Sequence, residues 1–171
     1  MKRKTVNPDP AAIEFRDFRV ADREWVETQN IHHYTQVEGF DPSFAAAVTA
    51  ALDGLQDAMG ERGSKFLIVE TRQGRQPVGC VFFTAETPAS GRLRLFYLDR
   101  AYRGSGLGRL MLDRIVEHAR GQMMETIRVS TFDRHTAACR LYQSAGFLCE
   151  AQEPSCAFGQ VMRQLDFEKR L

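Results

Sequence analysis

The chain contains little that would tie it to a membrane, a metal or a nucleic acid. None of its 171 residues lie in anything close to the roughly 20-residue apolar run that a membrane helix needs. The N-terminus, MKRKTVNPDP, is positively charged, but no apolar stretch follows it, so it does not read as a secretory signal. There are only four cysteines, Cys80, Cys139, Cys149 and Cys156. None forms C-x-x-C and none has zinc-ligand spacing with a histidine, so no metal site is expected. Cys80 and Cys139 lie inside apolar patterns and read as reduced core thiols of a cytoplasmic protein. With 23 basic against 22 acidic residues, the broad electrostatic case for a nucleic-acid partner is absent.

What is present is an ordinary globular composition, 43% hydrophobic and 26% charged. No repeat, low-complexity tract or linker divides the chain. We therefore expect one domain over residues 11–171, with residues 1–10 loosely ordered. Residues 12–20, AIEFRDFRV, read as a first strand. Asp22 can cap a helix carrying Trp25, Val26 and Ile31, and Asp41-Pro42 opens a second helix with Phe44, Val48, Leu52 and Leu55 on one face. Two runs, 65–72 and 77–86, read as a hairpin, and RLRLFYLD (92–99) follows as a central strand. Helical spacing over 106–120, a strand at 126–132, a short helix at 135–147 and two final strands complete the chain. A helix joining the strands at 92–99 and 126–132 requires a parallel crossover, so the fold class is mixed α/β. Trp25, Phe82 and Phe83 are expected in the core. His32 and His33 end the first helix and point in different directions, which suits surface positions better than a metal pair.

Between that central strand and the next helix lies Arg103-Gly-Ser-Gly-Leu-Gly108. Three glycines at a helix start either make an unusual turn or let something approach the backbone closely. A strand that ends in such a turn and opens a helix can bind an anion through unpaired N–H groups and the helix dipole, with Arg103 and Arg109 adding charge. No lysine follows as in a P-loop, and the spacing G-x-G-x-G differs from a dinucleotide fingerprint.

The fuller pattern R-x-x-G-x-G, preceded by LRLFYLDRAY, resembles the GNAT superfamily of acyl-CoA-dependent N-acetyltransferases. HTAACRLYQSAGF (135–147) resembles a second segment of that family. Ala138, Leu141, Tyr142, Gly146 and Phe147 match it, and His135 stands in place of the usual asparagine. The resemblance implies a mostly antiparallel central sheet of about seven strands with a splayed parallel pair and about four helices. It implies acetyl-CoA as the cofactor. Its pyrophosphate would lie on Arg103, Gly104, Ser105, Gly106, Leu107, Gly108 and Arg109, its pantetheine along Phe96, Tyr97 and Leu98, and His135 would stand at a cofactor contact.

Tyr142 matches the general acid that would protonate the leaving thiolate. The base stays open between Glu38, Glu86 and a water chain. The implied activity is acetyl transfer to a primary amine of a small molecule or peptide by direct attack on the thioester. The alternatives are a non-catalytic acyl-CoA-binding or sensing module and a regulator of a partner protein. A homodimer through the last strands is a further expectation. LRLFYLDRAYRGSGLGRLML, VSTFDRHTAACRLYQSAGF and REWVETQNIHHYTQVEGFDPSF are also similar to the acetyltransferase half of MarR-type regulator–GNAT fusions.

Overall fold

A computed structural model of the protein describes residues 12–171; the expectation for residues 1–10 lies outside them. Seven strands form a single sheet in the order β1 (Ile13–Asp17), β2 (Lys65–Thr71), β3 (Pro77–Thr87), β4 (Ser90–Leu98), β5 (Thr126–Phe132), β7 (Gln160–Arg170) and β6 (Leu148–Ala157). Every neighbouring pair is antiparallel except β4 and β5. The helices are α1 (Arg23–His32), α2 (Ser43–Ala58), α3 (Leu107–Gly121) and α4 (Thr136–Ser144). The mixed α/β class, the hairpin, the parallel crossover and the placement of β4 all follow the sequence expectation.

The apolar runs explain the layering. Residues 66–70 of β2 and 78–84 of β3 are buried without alternation, as strands covered on both faces must be. One apolar cluster joins the sheet to α3 and α4 through Met111, Leu112, Ile115 and Tyr142. A second joins it to α1 and α2 through Val26, Val48, Leu52 and Phe82. Cys80, Phe82 and Phe83 are fully buried, and Trp25 packs partly buried beside Tyr97.

Two local readings change. Asp22 makes no side-chain cap for α1. Its carboxylate accepts the Arg19 N–H (2.7 Å) and two bonds from the Arg16 guanidinium (2.7 Å each), closing the turn before the helix. Arg16 also donates to the buried Glu70 (2.6 Å), so charge pairing at β1 took the side chain that the cap pattern had claimed. The helical path also does not end at His32. It widens into a π-helical turn over His33–Val37, which turns His33 toward Tyr34 and Tyr97 rather than leaving it on the surface.

The feature that places the site is a bulge in β4. Phe83 pairs with Leu93 and Val81 with Phe96, so three residues of β4 span two of β3. Leu93, Phe96 and Leu98 thus all reach the α3 side, while Leu95 and Tyr97 reach the α1–α2 side. Below the bulge, β4 and β5 pair over three rungs, Ser90 with Thr126, Gly91 with Ile127 and Arg92 with Arg128. Beyond Arg92 the two strands part, and β5 continues paired only with β7.

Candidate active site

The open ends of β4 and β5 form a cleft, and the glycine turn stands at its mouth. Gly104 (φ 75°) and Gly106 (φ 86°) both have left-handed backbone that disfavours any side chain. A Cβ at either would meet nothing within 4 Å, so the space over them is open. Gly106 caps α3, and its carbonyl accepts the Leu110 N–H at 3.1 Å. The Ser105 hydroxyl donates to the Tyr102 carbonyl (2.6 Å) and accepts weakly from Leu107 N–H (3.4 Å). The first-turn N–H groups of α3 are otherwise free of helical partners and carry the positive end of the helix dipole. Gly108 is different: a Cβ there would stand 3.8 Å from Leu98 and 3.9 Å from Leu141, between the end of β4 and α4.

The two arginines are held differently. Arg103 donates Nε–H to the Leu98 carbonyl (2.8 Å), which lays its guanidinium along the opened end of β4. Arg109 donates to Asp113 (2.9 Å) and to the Ser144 carbonyl (3.2 Å), so its side chain ties α3 to α4, and only its backbone remains with the turn.

Tyr142, from α4, is buried (3% exposed) with its ring 5.7 Å from that of Phe147 and 5.4 Å from that of Phe167. Its hydroxyl bonds to no protein group among the described residues. Burial first, then the neighbouring Tyr34 and Cys139, push the phenol well above its ordinary value, so it is protonated at neutral pH.

On the α1–α2 side of the same cleft lies a cavity of about 210 Å³. Its walls include Tyr34, Phe40, Phe44, Phe96, Phe132 and His135. Tyr34 and Phe40 stack at 5.4 Å, and the loop after α1 is fastened to the β6–β7 hairpin by Gln160, which donates to the carbonyls of Glu38 (2.9 Å) and Gly39 (2.7 Å). Burial pushes Tyr34 up to about 12. His135 shares a hydrogen bond between Nδ1 and the Thr131 hydroxyl (3.1 Å), while its Nε2 is buried without a partner. Burial pushes its pKa down, against the upward pull of Glu38, so the ring is neutral near pH 7. An orphaned buried nitrogen is uncommon and points to a missing partner.

The other candidates fall on either side of this pocket. Tyr97 reaches Gln29 with its hydroxyl (3.3 Å). Glu38 lies near His33 (3.7 Å) and Arg134 (3.5 Å), close enough to bias Tyr34 and His135. Glu86 is bound by Arg92 (2.5 Å) and Arg94 (3.5 Å) on the sheet. Arg103 and Gly108 stand against Leu98 at the end of β4, Phe96 and His135 line the aromatic cavity, Ser105–Leu107 line a separate cavity of about 600 Å³ with Ile13, Phe15 and Arg114, and Glu86 stays in an ion-pair cluster. Sequence reading missed Phe40, Phe132 and Arg94 as pocket residues. A charged residue inside the apolar run LRLFYL was the available signal for Arg94.

This arrangement has known counterparts. The family model described as "Acetyltransferase (GNAT) family" matches residues 23–147. The spermine/spermidine N(1)-acetyltransferase of Bacillus subtilis (strain 168) is 38% identical over 65 residues, 36% of this chain and 43% of that protein; the match thus spans less than half of the curated relative. Among solved structures, yncA from Salmonella typhimurium with its cofactor acetyl-CoA superposes with a TM-score of 0.74 at 20% identity, covering 93% of this chain and 94% of that one. The GNAT-family acetyltransferase from Staphylococcus aureus Mu50 gives 0.75 at 14% identity, covering 93% and 99%. The ribosomal-protein-alanine N-acetyltransferase from Brucella melitensis gives 0.72 at 19% identity, covering 92% and 99%.

Proposed function

The chain belongs to the acetyltransferase (GNAT) family, and from that premise we propose that it moves the acetyl group of acetyl-CoA onto a primary amine of a small molecule or peptide. The observation that carries this reading is the cleft between β4 and β5 with the open glycine turn at its mouth. The residues present fit the cofactor: Gly104 and Gly106 leave open space over a row of N–H donors, and the free edge of β4 can take an extended arm as an added strand.

Bound acetyl-CoA supplies an activated acyl group and a thiol leaving group. The turn's N–H groups would hold the pyrophosphate. The backbone of Phe96, Tyr97 and Leu98 would align the pantetheine arm, and an N–H there would polarise the acyl oxygen. Arg103, anchored on Leu98 O, adds positive charge at the same end. Tyr142 gives its hydroxyl proton to the departing sulfur, which its raised pKa keeps available. The aromatic cavity holds the acceptor on the opposite face, with its nitrogen turned into the cleft. Glu38, beside the pocket, or a water chain takes the amine's proton; Glu86 is already bound by two arginines. The orphaned Nε2 of His135 would be free to bond to the cofactor if its arm reached this end of the pocket. Four free thiols suit a cytoplasmic setting.

The curated relative's name makes a polyamine one candidate acceptor. The likeness to regulator-fused acetyltransferases adds no acceptor of its own. The test is amine-dependent release of CoA thiol from acetyl-CoA over a panel of polyamines, amino acids, simple amines and peptide N-termini. Turnover with any of them supports the reading. CoA binding with no turnover across the panel would favour an acyl-CoA-sensing module instead.

A further inference from the structure

The acceptor cavity carries one full charge in its lining, and that charge is positive. Among its lining residues the only ionised side chain is Arg94; His135 is neutral, and no aspartate or glutamate is present. Arg94 leaves β4 just past its last rung with β5. It donates Nε–H to the Thr84 hydroxyl (3.1 Å), which aims the guanidinium. Its remaining ion pair, to Glu86 Oε1, is long at 3.5 Å. The same carboxylate oxygen is taken at 2.5 Å by Arg92, so one negative charge is shared between two cations and sits mainly with Arg92. Arg94 is therefore incompletely neutralised, its side chain is 44% exposed, and no hydrogen bond engages its Nη1 among the described residues. Opposite it the walls are aromatic: Phe40, Phe44 and Phe132. The acids just outside the lining are already engaged: Glu38 with His33 and Arg134, Glu86 with Arg92 and Arg94, and Asp166 by the Ser130 hydroxyl (2.6 Å).

From this layout we propose that Arg94 is the anion-binding end of the acceptor pocket, and that the acceptor is an amine with an apolar body and a carboxylate, of the apolar amino-acid type, rather than a polyamine. A guanidinium pairs with a carboxylate through two parallel charge-assisted bonds and repels a second ammonium. The aromatic walls accept the apolar body, and the amine extends toward the opening between β4 and β5. This inference deepens the acetyl-transfer reading and rests on it.

The test compares kcat/KM for L-phenylalanine and L-methionine, their amides, 2-phenylethylamine and spermine. The free acids are expected to exceed their amides by roughly tenfold or more, the scale of one charge-assisted contact, and spermine is expected to rank last. Arg94→Gln should remove the preference for acid over amide, and Arg94→Glu should move the ranking toward spermine. Unchanged melting temperatures show that both variants fold, as expected for a half-exposed side chain. Spermine ranking first in the wild type, or an acid preference that survives Arg94→Gln, overturns the proposal. Calorimetric titration of phenylalanine and its amide into CoA-loaded protein reads the subsite without turnover. Should no amine be acetylated, tighter binding of the acid than the amide still supports Arg94's role, while equal or absent binding of both defeats it.

Discussion

Arg92 and Arg128 face each other across the last rung that joins β4 to β5. Everything below that rung is a closed sheet, and everything above it is a cleft. The bulge at Leu93–Phe96 lies immediately above, which ties the opening of the sheet to an extra residue in β4.

One rung below, Gly91 is the hinge's weak point. A Cβ there would come within 2.1 Å of the Phe83 ring, which is fully buried and has nowhere to move. Gly91→Ala is expected to destabilise the domain by about 3 kcal/mol or more, at the upper end of overpacking costs. Urea unfolding measures this; a change below about 0.5 kcal/mol would show that the strand pair yields.

Two glycines of the turn should differ in folding and in binding. Gly106→Ala forces a side chain into left-handed backbone and is expected to cost about 1–2 kcal/mol. Gly108→Ala meets only ordinary contacts at 3.8 and 3.9 Å, so its melting temperature should hold or rise. That methyl group points between Leu98 and Leu141, away from the open space, whereas the one in Gly106→Ala enters the space over the turn's N–H donors, so acetyl-CoA affinity should fall about tenfold by calorimetry in Gly106→Ala and hold in Gly108→Ala. Unaltered affinity in Gly106→Ala would place the cofactor elsewhere.

Tyr142→Phe keeps the ring packed on Phe147 and Phe167 and removes only the hydroxyl. Turnover is expected to fall about 100-fold, within the range of a general acid, with CoA affinity unchanged. Because burial raises the phenol's pKa, the loss of acid function at high pH should begin above the ordinary tyrosine value of about 10. Wild-type turnover in the variant removes Tyr142 from the mechanism.

Asp22 should govern part of the acid response. Burial pushes its carboxyl up, but the Arg16 guanidinium and the Arg19 N–H outweigh that, so its folded value lies below the ordinary one. Its contribution is complete above about pH 3.9, the unfolded value, and is lost as pH falls through the lower folded value. Asp22→Asn is expected to flatten that limb of the stability–pH curve and to lower stability at neutral pH. A curve of unchanged slope would mean that Glu70 alone holds Arg16.

Much of the scaffold was legible because its signals are local. The unbroken apolar runs of β2 and β3, the helical spacing of α3 and the strand–glycine–helix junction each follow from neighbouring residues. The aromatic pocket was not, since Phe40, Phe132 and Arg94 meet only through the order of β4 and β5 and the π-helical turn after α1. Asp22 shows the converse: a good local cap signal was overridden by the charge of Arg16, which the fold places beside it.

The most direct test of the account is the melting temperature with saturating acetyl-CoA, CoA, ATP and NAD. A ligand at 100 times its dissociation constant stabilises by about 2.7 kcal/mol, a readable shift for a domain of this size. The account predicts that acetyl-CoA and CoA raise the melting temperature while ATP and NAD do not. No shift with either CoA species, or an equal shift with ATP, would contradict a CoA-binding cleft between β4 and β5.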